Sequence, residues 1–286
     1  MTYPRRVGTV ALVSLSMLLW HGGPNAAWGE AAGVSPAKSG PPQCDPATFQ
    51  VAVDVGHTVE KPGARSARGV GEYDFNLHLA KLIEQDLVAA GFAKTVLMIT
   101  AGAAQASLYK RVERANHLPA DLFLSIHHDS VPNRFLEKWE YEGEQRGYSD
   151  RFKGHSLFVS IDNGDYKGSV LFGKLLGKQL KDRGLVYTPH YTEKFMGSRR
   201  RVLVDPETGV YRYDQLIVLK STKMPAVLLE AGSIINRDEE LLLAAPERQA
   251  LISAAVTDAV KAFCTARAER SRPAPPKQQP NAATRP

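Results

Sequence analysis

Residues 122–129 read Leu-Phe-Leu-Ser-Ile-His-His-Asp. An apolar run broken only by one serine, from Leu122 to Ile126, reads as a buried strand, and it ends at His127. Strands of this kind sit inside parallel sheets, where crossover helices cover both faces.

The segments on either side follow the same alternation. Upstream, Phe49–Val55 is a β-rich run ending at Gly56-His57. Apolar residues at Phe75, Leu79, Leu82, Ile83 and Leu87 give Tyr73–Ala90 a helical stripe that stops at Gly91. Thr95–Ile99 reads as a second strand and Leu108–His117 as a helix. Downstream, Ser156–Ile161 is a strand. Val170–Arg183 is a helix closed by Gly184, Leu216–Lys220 is weakly strand-like, and Ala226–Glu230 is a buried strand. Pro246–Phe263 is an Ala-rich closing helix. Strands separated by helices predict an α/β fold: a single domain with a mostly parallel central sheet and helices on both faces. Ligands of such sheets gather at the carboxyl ends of the strands. His57, His127 and Glu230 all fall there, although they are far apart in the chain.

The ends differ from this core. Arg5-Arg6, the apolar run Val10–Trp20 and the small residues Asn25-Ala26-Ala27 read as a signal peptide over residues 1–27. The run is too short to span a bilayer comfortably, so no stable membrane anchor is expected once the signal is removed. The paired arginines raise the twin-arginine route, which stays open. Residues 28–46 form a Gly/Pro/Ala leader and 265–286 a Pro-rich basic tail; neither can bury enough surface to offset its ordering entropy. One folded domain is expected over 47–264, with no internal repeat, as a monomer.

The formal charge of +6 and pI near 9.2 suit an anionic partner. Export argues for carboxylate-bearing wall polymers or a membrane surface over nucleic acid, for which the chain has no recognisable binding motif. The two cysteines, Cys44 and Cys264, flank the core. In an oxidising compartment they could pair and tie the domain's ends together; the alternative is two unrelated thiols, and export favours the bridge. Neither has a metal-ligand neighbour.

Chemistry concentrates in three segments: Asp54-Val55-Gly56-His57 with Gly71-Glu72 after it, Ser125-Ile126-His127-His128-Asp129, and Pro225-Ala226-Val227-Leu228-Leu229-Glu230-Ala231-Gly232. A catalytic zinc takes three N/O protein ligands and keeps one position open. His57, Glu72 and His127 supply such a set, leaving Glu230 as a carboxylate beside it. In these motifs the sequence resembles the zinc-dependent N-acetylmuramoyl-L-alanine amidases of the type-3 catalytic domain, over about Phe49 to Phe263. The resemblance implies one Zn2+ per chain held by His57, Glu72 and His127, with Glu230 as the catalytic carboxylate. Arg111 with Ala115-Asn116, and Asn236 with Asp238, are further matches.

The chain departs from that pattern in having Gly232-Ser233 where the family usually has Gly-Phe. It also has long segments at 131–153 and 187–213 and no long inhibitory helix. His128 should point away from His127, on the opposite face of the strand. His155 and His190 are expected as solvated loop residues. Glu137, Glu140, Glu142 and Glu144 read as a solvated loop, or one of them closes zinc's open position. Lys194 and Arg199-Arg200-Arg201 are surface charge or partners for stem-peptide carboxylates. Asp54 is expected to orient a ligating imidazole.

The resemblance implies a peptidoglycan hydrolase, exported to the periplasm or cell wall, that cleaves between N-acetylmuramic acid and L-alanine, with a protein activator as a further partner. The alternatives are a zinc peptidase acting within the stem peptide and a catalytically inactive wall-binding module. Product analysis separates the first two.

Overall fold

A computed structural model of the chain describes residues 44–270. The expected signal peptide, the leader up to residue 43 and the tail from residue 271 lie outside the described residues.

Seven strands form the central sheet: β1 (Val51–Val55), β2 (Val96–Met98), β3 (Leu122–Asp129), β6 (Ser156–Val159), β7 (Val202–Asp205), β8 (Val210–Arg212) and β9 (Ala226–Ser233). Their order is β2-β1-β3-β9-β6-β8-β7. The half containing β2, β1, β3 and β9 is parallel; β6 runs antiparallel to β9, and β7 antiparallel to β8. The mostly parallel sheet is as expected, with an antiparallel far edge. A separate hairpin pairs β4 (Glu137–Tyr141) with β5 (Glu144–Tyr148).

Alternating side chains bury the sheet on both faces. Val51, Val53, Val55, Leu122, Leu124, Ile126, Val227 and Leu229 pack against α1 (Glu72–Ala89), α3 (Tyr166–Asp182) and α6 (Pro246–Arg270). Ala52, Phe123, Phe158 and Leu228 meet the other layer, with Ala115 of α2 (Ala104–His117) and Val218 and Leu219 of α4 (Ile217–Lys220). This parity places Ser125, His127 and Glu230 in the α2/α4 series and His128 in the α1 series.

Four expectations need correction. Leu216–Lys220 contributes a single helical turn, not a strand, because Val218 and Leu219 pack as neighbours into the α2 layer. The charged segment 131–153 is no open loop: it holds the hairpin, with Trp139 and Tyr141 alternating along β4 and turning at Glu142-Gly143, both at positive φ. An unpredicted helix, α5 (Arg237–Ala244), starts where the Asn236 side chain accepts from the Asp238 and Glu239 amides. Finally, α6 runs six residues past the expected boundary at Cys264, so 265–270 is helix. Cys44 and Cys264 are joined by a disulfide with Cα atoms 5.2 Å apart. The bridge ties the start of the core to its last helix.

Candidate metal centre

Glu72 opens α1, where the partial positive charge of the helix N-terminus favours a carboxylate. Its Oε1 accepts from His127 Nδ1 at 2.9 Å and from the His128 amide at 3.3 Å. Its Oε2 accepts from the Ala64 amide at 3.2 Å and lies 2.9 Å from His57 Nε2. Burial alone would push this carboxyl up, but the hydrogen bonds and charges of His127 and His57 hold it well below the usual carboxylate range. Burial lowers the His127 pKa against the opposing pull of Glu72, which favours the neutral imidazole, the form that ligates a metal.

His57, Glu72 and His127 thus bring one donor atom each within 4.8 Å of one another, the one such group able to hold a metal ion among the described residues. The His57 and His127 side chains keep 31 % and 17 % of their surface open to solvent, so a fourth position is reachable. Two glycines make room for the cluster. A Cβ at Gly56 would lie 2.4 Å from the His127 ring, and one at Gly63 only 2.5 Å from Glu72 Oε2 and 2.6 Å from the His57 ring. Gly63 also has φ +81°, a conformation that disfavours any side chain. His57 itself sits at φ 65°, which costs a non-glycine residue on the order of 1–2 kcal/mol.

Glu230 pairs in register with His127 across β3 and β9. The register then shifts, because β9 spends an extra residue between Glu230 and Ser233. At that bulge Glu239 accepts from the Ser233 and Gly154 amides, which is how Gly232-Ser233 is packed. Glu230 Oε2 is buried without a hydrogen-bond partner among the described residues. Burial, then the nearby Asp129 and Glu72 carboxylates, push the Glu230 carboxyl well above its ordinary value. Two imidazoles and a carboxylate are a donor set that fits a divalent cation, and such an ion would offset the crowding of the Glu72 and Glu230 carboxyls.

The other expected residues divide. His128 faces away, as the strand period requires: its Nδ1 donates to Asn76 Oδ1 at 2.8 Å, and its ring lies beside Phe75. Asp54 does not orient an imidazole. Its carboxylate takes Arg111 Nη1 at 2.7 Å and the Ser125 hydroxyl at 2.8 Å, because it points into the layer beneath the sheet edge. His155 and His190 are not solvated: they are 3 % and 5 % exposed, in the wall of a cavity of about 660 Å3. Burial pulls both imidazoles down to about 4. The cavity passes beside Ala231, next to Glu230, and carries Arg151, Lys153 and Arg248. The acidic run belongs to the hairpin, where Glu137 accepts from Tyr148 and Glu144 pairs with Arg146; none of it joins the ligand cluster. Arg200 donates to the Thr192 carbonyl, and Arg201 lies over Tyr213 at 3.6 Å. Sequence reasoning missed Tyr191, whose hydroxyl donates to both Asp129 oxygens at 2.8 Å. No local pattern announced that contact.

A family model described as N-acetylmuramoyl-L-alanine amidase matches residues 51–262. A putative N-acetylmuramoyl-L-alanine amidase of Buchnera aphidicola is 27% identical over 216 residues, 74% of this chain and 95% of the relative. The amidase AmiA of Escherichia coli is 26% identical over 228 residues, with 74% of this chain and 75% of AmiA covered. The amidase Ami1 of Mycobacterium smegmatis shares the fold, with a TM-score of 0.59 at 18% identity over 78% of this chain and 99% of Ami1.

Proposed function

The chain belongs to the N-acetylmuramoyl-L-alanine amidase family and is a hydrolase of the amide bond between N-acetylmuramic acid and L-alanine in peptidoglycan, and we propose that it works with one zinc ion held by His57, Glu72 and His127 and with Glu230 moving the protons. The observation that carries this reading is the meeting of three donors within 4.8 Å, with Glu230 opposite His127 on the neighbouring strand.

When bound, zinc supplies Lewis acidity toward the scissile carbonyl and toward water. The chain's own residues do the rest. Glu72 holds the two imidazoles in place and keeps its negative charge. Glu230, as general base, takes a proton from the attacking water and returns it to the departing amide nitrogen. An amide is a poor electrophile with a poor leaving group, so both transfers are needed. The products are a glycan strand with a free lactyl carboxylate and a stem peptide with a free amine.

This substrate lies outside the cytoplasm, and the Cys44–Cys264 bridge supports a working place in an oxidising compartment such as the periplasm or cell wall. Among the described residues no helix is long and apolar enough to cross a membrane. The test is to incubate the purified chain with peptidoglycan, with and without a chelator, and to weigh the released products. Intact stem peptides released only with zinc are expected. Fragments cut within the peptide would overturn the assignment in favour of a peptidase.

A further inference from the structure

His57 departs from ordinary backbone geometry at the point where a buried cation reaches it. Its φ of 65° is a conformation that a residue with a Cβ adopts only when its surroundings impose it. Arg111 comes from α2, on the opposite side of the sheet edge from Glu72, and is 2 % exposed. Its guanidinium does more than neutralise Asp54. Nη1 donates to the Asp54 carboxylate at 2.7 Å and also to the Val55 carbonyl, while Nη2 donates to the His57 carbonyl. The fork therefore spans the Gly56 peptide and grips the chain on both sides of it. From the other face, Asn76 donates to the Gly56 carbonyl at 3.2 Å.

We propose that Arg111 is a positioning residue of the metal centre: by bridging the Val55 and His57 carbonyls it holds His57 left-handed, with its imidazole against Glu72 and His127, and so sets the affinity for zinc. The proposal rests on the metal reading above. An arginine serving only the ion pair would have no reason to direct its second nitrogen to the carbonyl of a ligand residue. A lysine would keep the charge beside Asp54 but cannot span two carbonyls with a planar fork. Without the bridge, His57 relaxes toward negative φ and its ring leaves the cluster.

The test compares Arg111→Lys and Asp54→Asn with the wild-type chain, measuring zinc Kd by competition with a chromophoric chelator, apo-protein melting, and kcat and KM at limiting and saturating zinc. Arg111→Lys is expected to weaken zinc by about 10- to 100-fold, the range for partners that orient metal ligands. Its kcat should recover towards wild type at saturating zinc, with KM for peptidoglycan unchanged. Asp54→Asn leaves the carbonyl bridge in place and should hold zinc within about 3-fold of wild type. If Arg111→Lys does not fold, the double variant Asp54→Asn/Arg111→Gln removes both buried charges together and should show the same loss of zinc affinity. Wild-type Kd in Arg111→Lys or in the double variant overturns the proposal, as does an Asp54→Asn loss equal to that of Arg111→Lys. A wild-type chain with no affinity for zinc overturns the metal reading itself.

Discussion

Glu230 stands directly opposite His127 on the paired strands β3 and β9, and its Oε2 atom is buried without a hydrogen-bond partner among the described residues. A carboxyl in such a place is poor structural material. Its burial, and the nearness of Asp129 and Glu72, work against the charged form.

Replacing Glu230 with glutamine should therefore separate chemistry from folding. The variant should bind zinc one to one and melt no lower than wild type, since a disfavoured acid has become a neutral amide. Its kcat should fall by about 100-fold or more, the usual contribution of a positioned acid–base group. Metal analysis, a thermal melt and steady-state rates on one preparation check all three points. Turnover at the wild-type rate in zinc-loaded protein removes Glu230 from the mechanism.

Gly63→Ala tests the cradle. The new methyl would meet Glu72 Oε2 at 2.5 Å and the His57 ring at 2.6 Å, at a φ of +81°. Both the contact and the backbone conformation are unfavourable, so a stability loss of about 1–3 kcal/mol is expected. Zinc affinity should fall with it, because the displaced groups are two of the three proposed ligands. Titrating zinc into Gly63→Ala and wild type under the same buffer gives the comparison; equal affinities contradict the packing described here.

The Cys44–Cys264 bridge should matter for stability and not for the metal. It closes a separation of 220 residues, and chain entropy assigns such a loop on the order of 5 kcal/mol, with measured effects nearer 2–4. Cys44→Ala/Cys264→Ala should unfold at lower denaturant by that margin. Its zinc Kd should stay at the wild-type value, since neither cysteine belongs to the ligand group.

A pH effect follows from His155. Burial holds its folded-state pKa at about 4, against 6.5 for an ordinary imidazole. Between those values the unfolded chain binds the extra proton, so stability is full above pH 6.5 and is lost as pH falls towards 4. One group with this shift is worth on the order of 3 kcal/mol across the window. Asp129, pushed up to about 7 by burial, acts in the opposite direction, so the informative quantity is wild type minus variant. Denaturant unfolding of His155→Asn and wild type from pH 4 to 8, both with chelator, should show a flatter profile for the variant. Parallel profiles would mean the ring is not buried neutral.

Most of the architecture was legible in one dimension. The apolar runs at 49–55, 122–126 and 226–230 and the helical stripe of 73–90 repeat on the periods that backbone geometry imposes, so strand, helix and parallel sheet followed from spacing. The same reading put His57, His127 and Glu230 at strand ends and Glu72 at a helix start; β3 and β9 run on past His127 and Glu230 to Asp129 and Ser233. The β4–β5 hairpin was not read from the sequence: the charge of 137–144 made it look like a solvated loop, and the alternation of Trp139 and Tyr141 before Glu142-Gly143 was the signal for it.

Other features depended on which distant segments meet. Asp54 could have served an imidazole; the side chain it reaches is Arg111, 57 positions away. His155 and His190 carry the composition of solvated loops yet are buried in a cavity wall. Leu216–Lys220 is too short for its period to choose between strand and helix, and packing against α2 chose. Sequence alone thus determined the repeating elements and picked out His57, Glu72 and His127, the residues that meet in one cluster able to hold a metal, because backbone periodicity and residue type are local. Burial, ion-pair partners and the left-handed turn of His57 were decided only in the tertiary structure, because each depends on contacts between residues far apart in the chain.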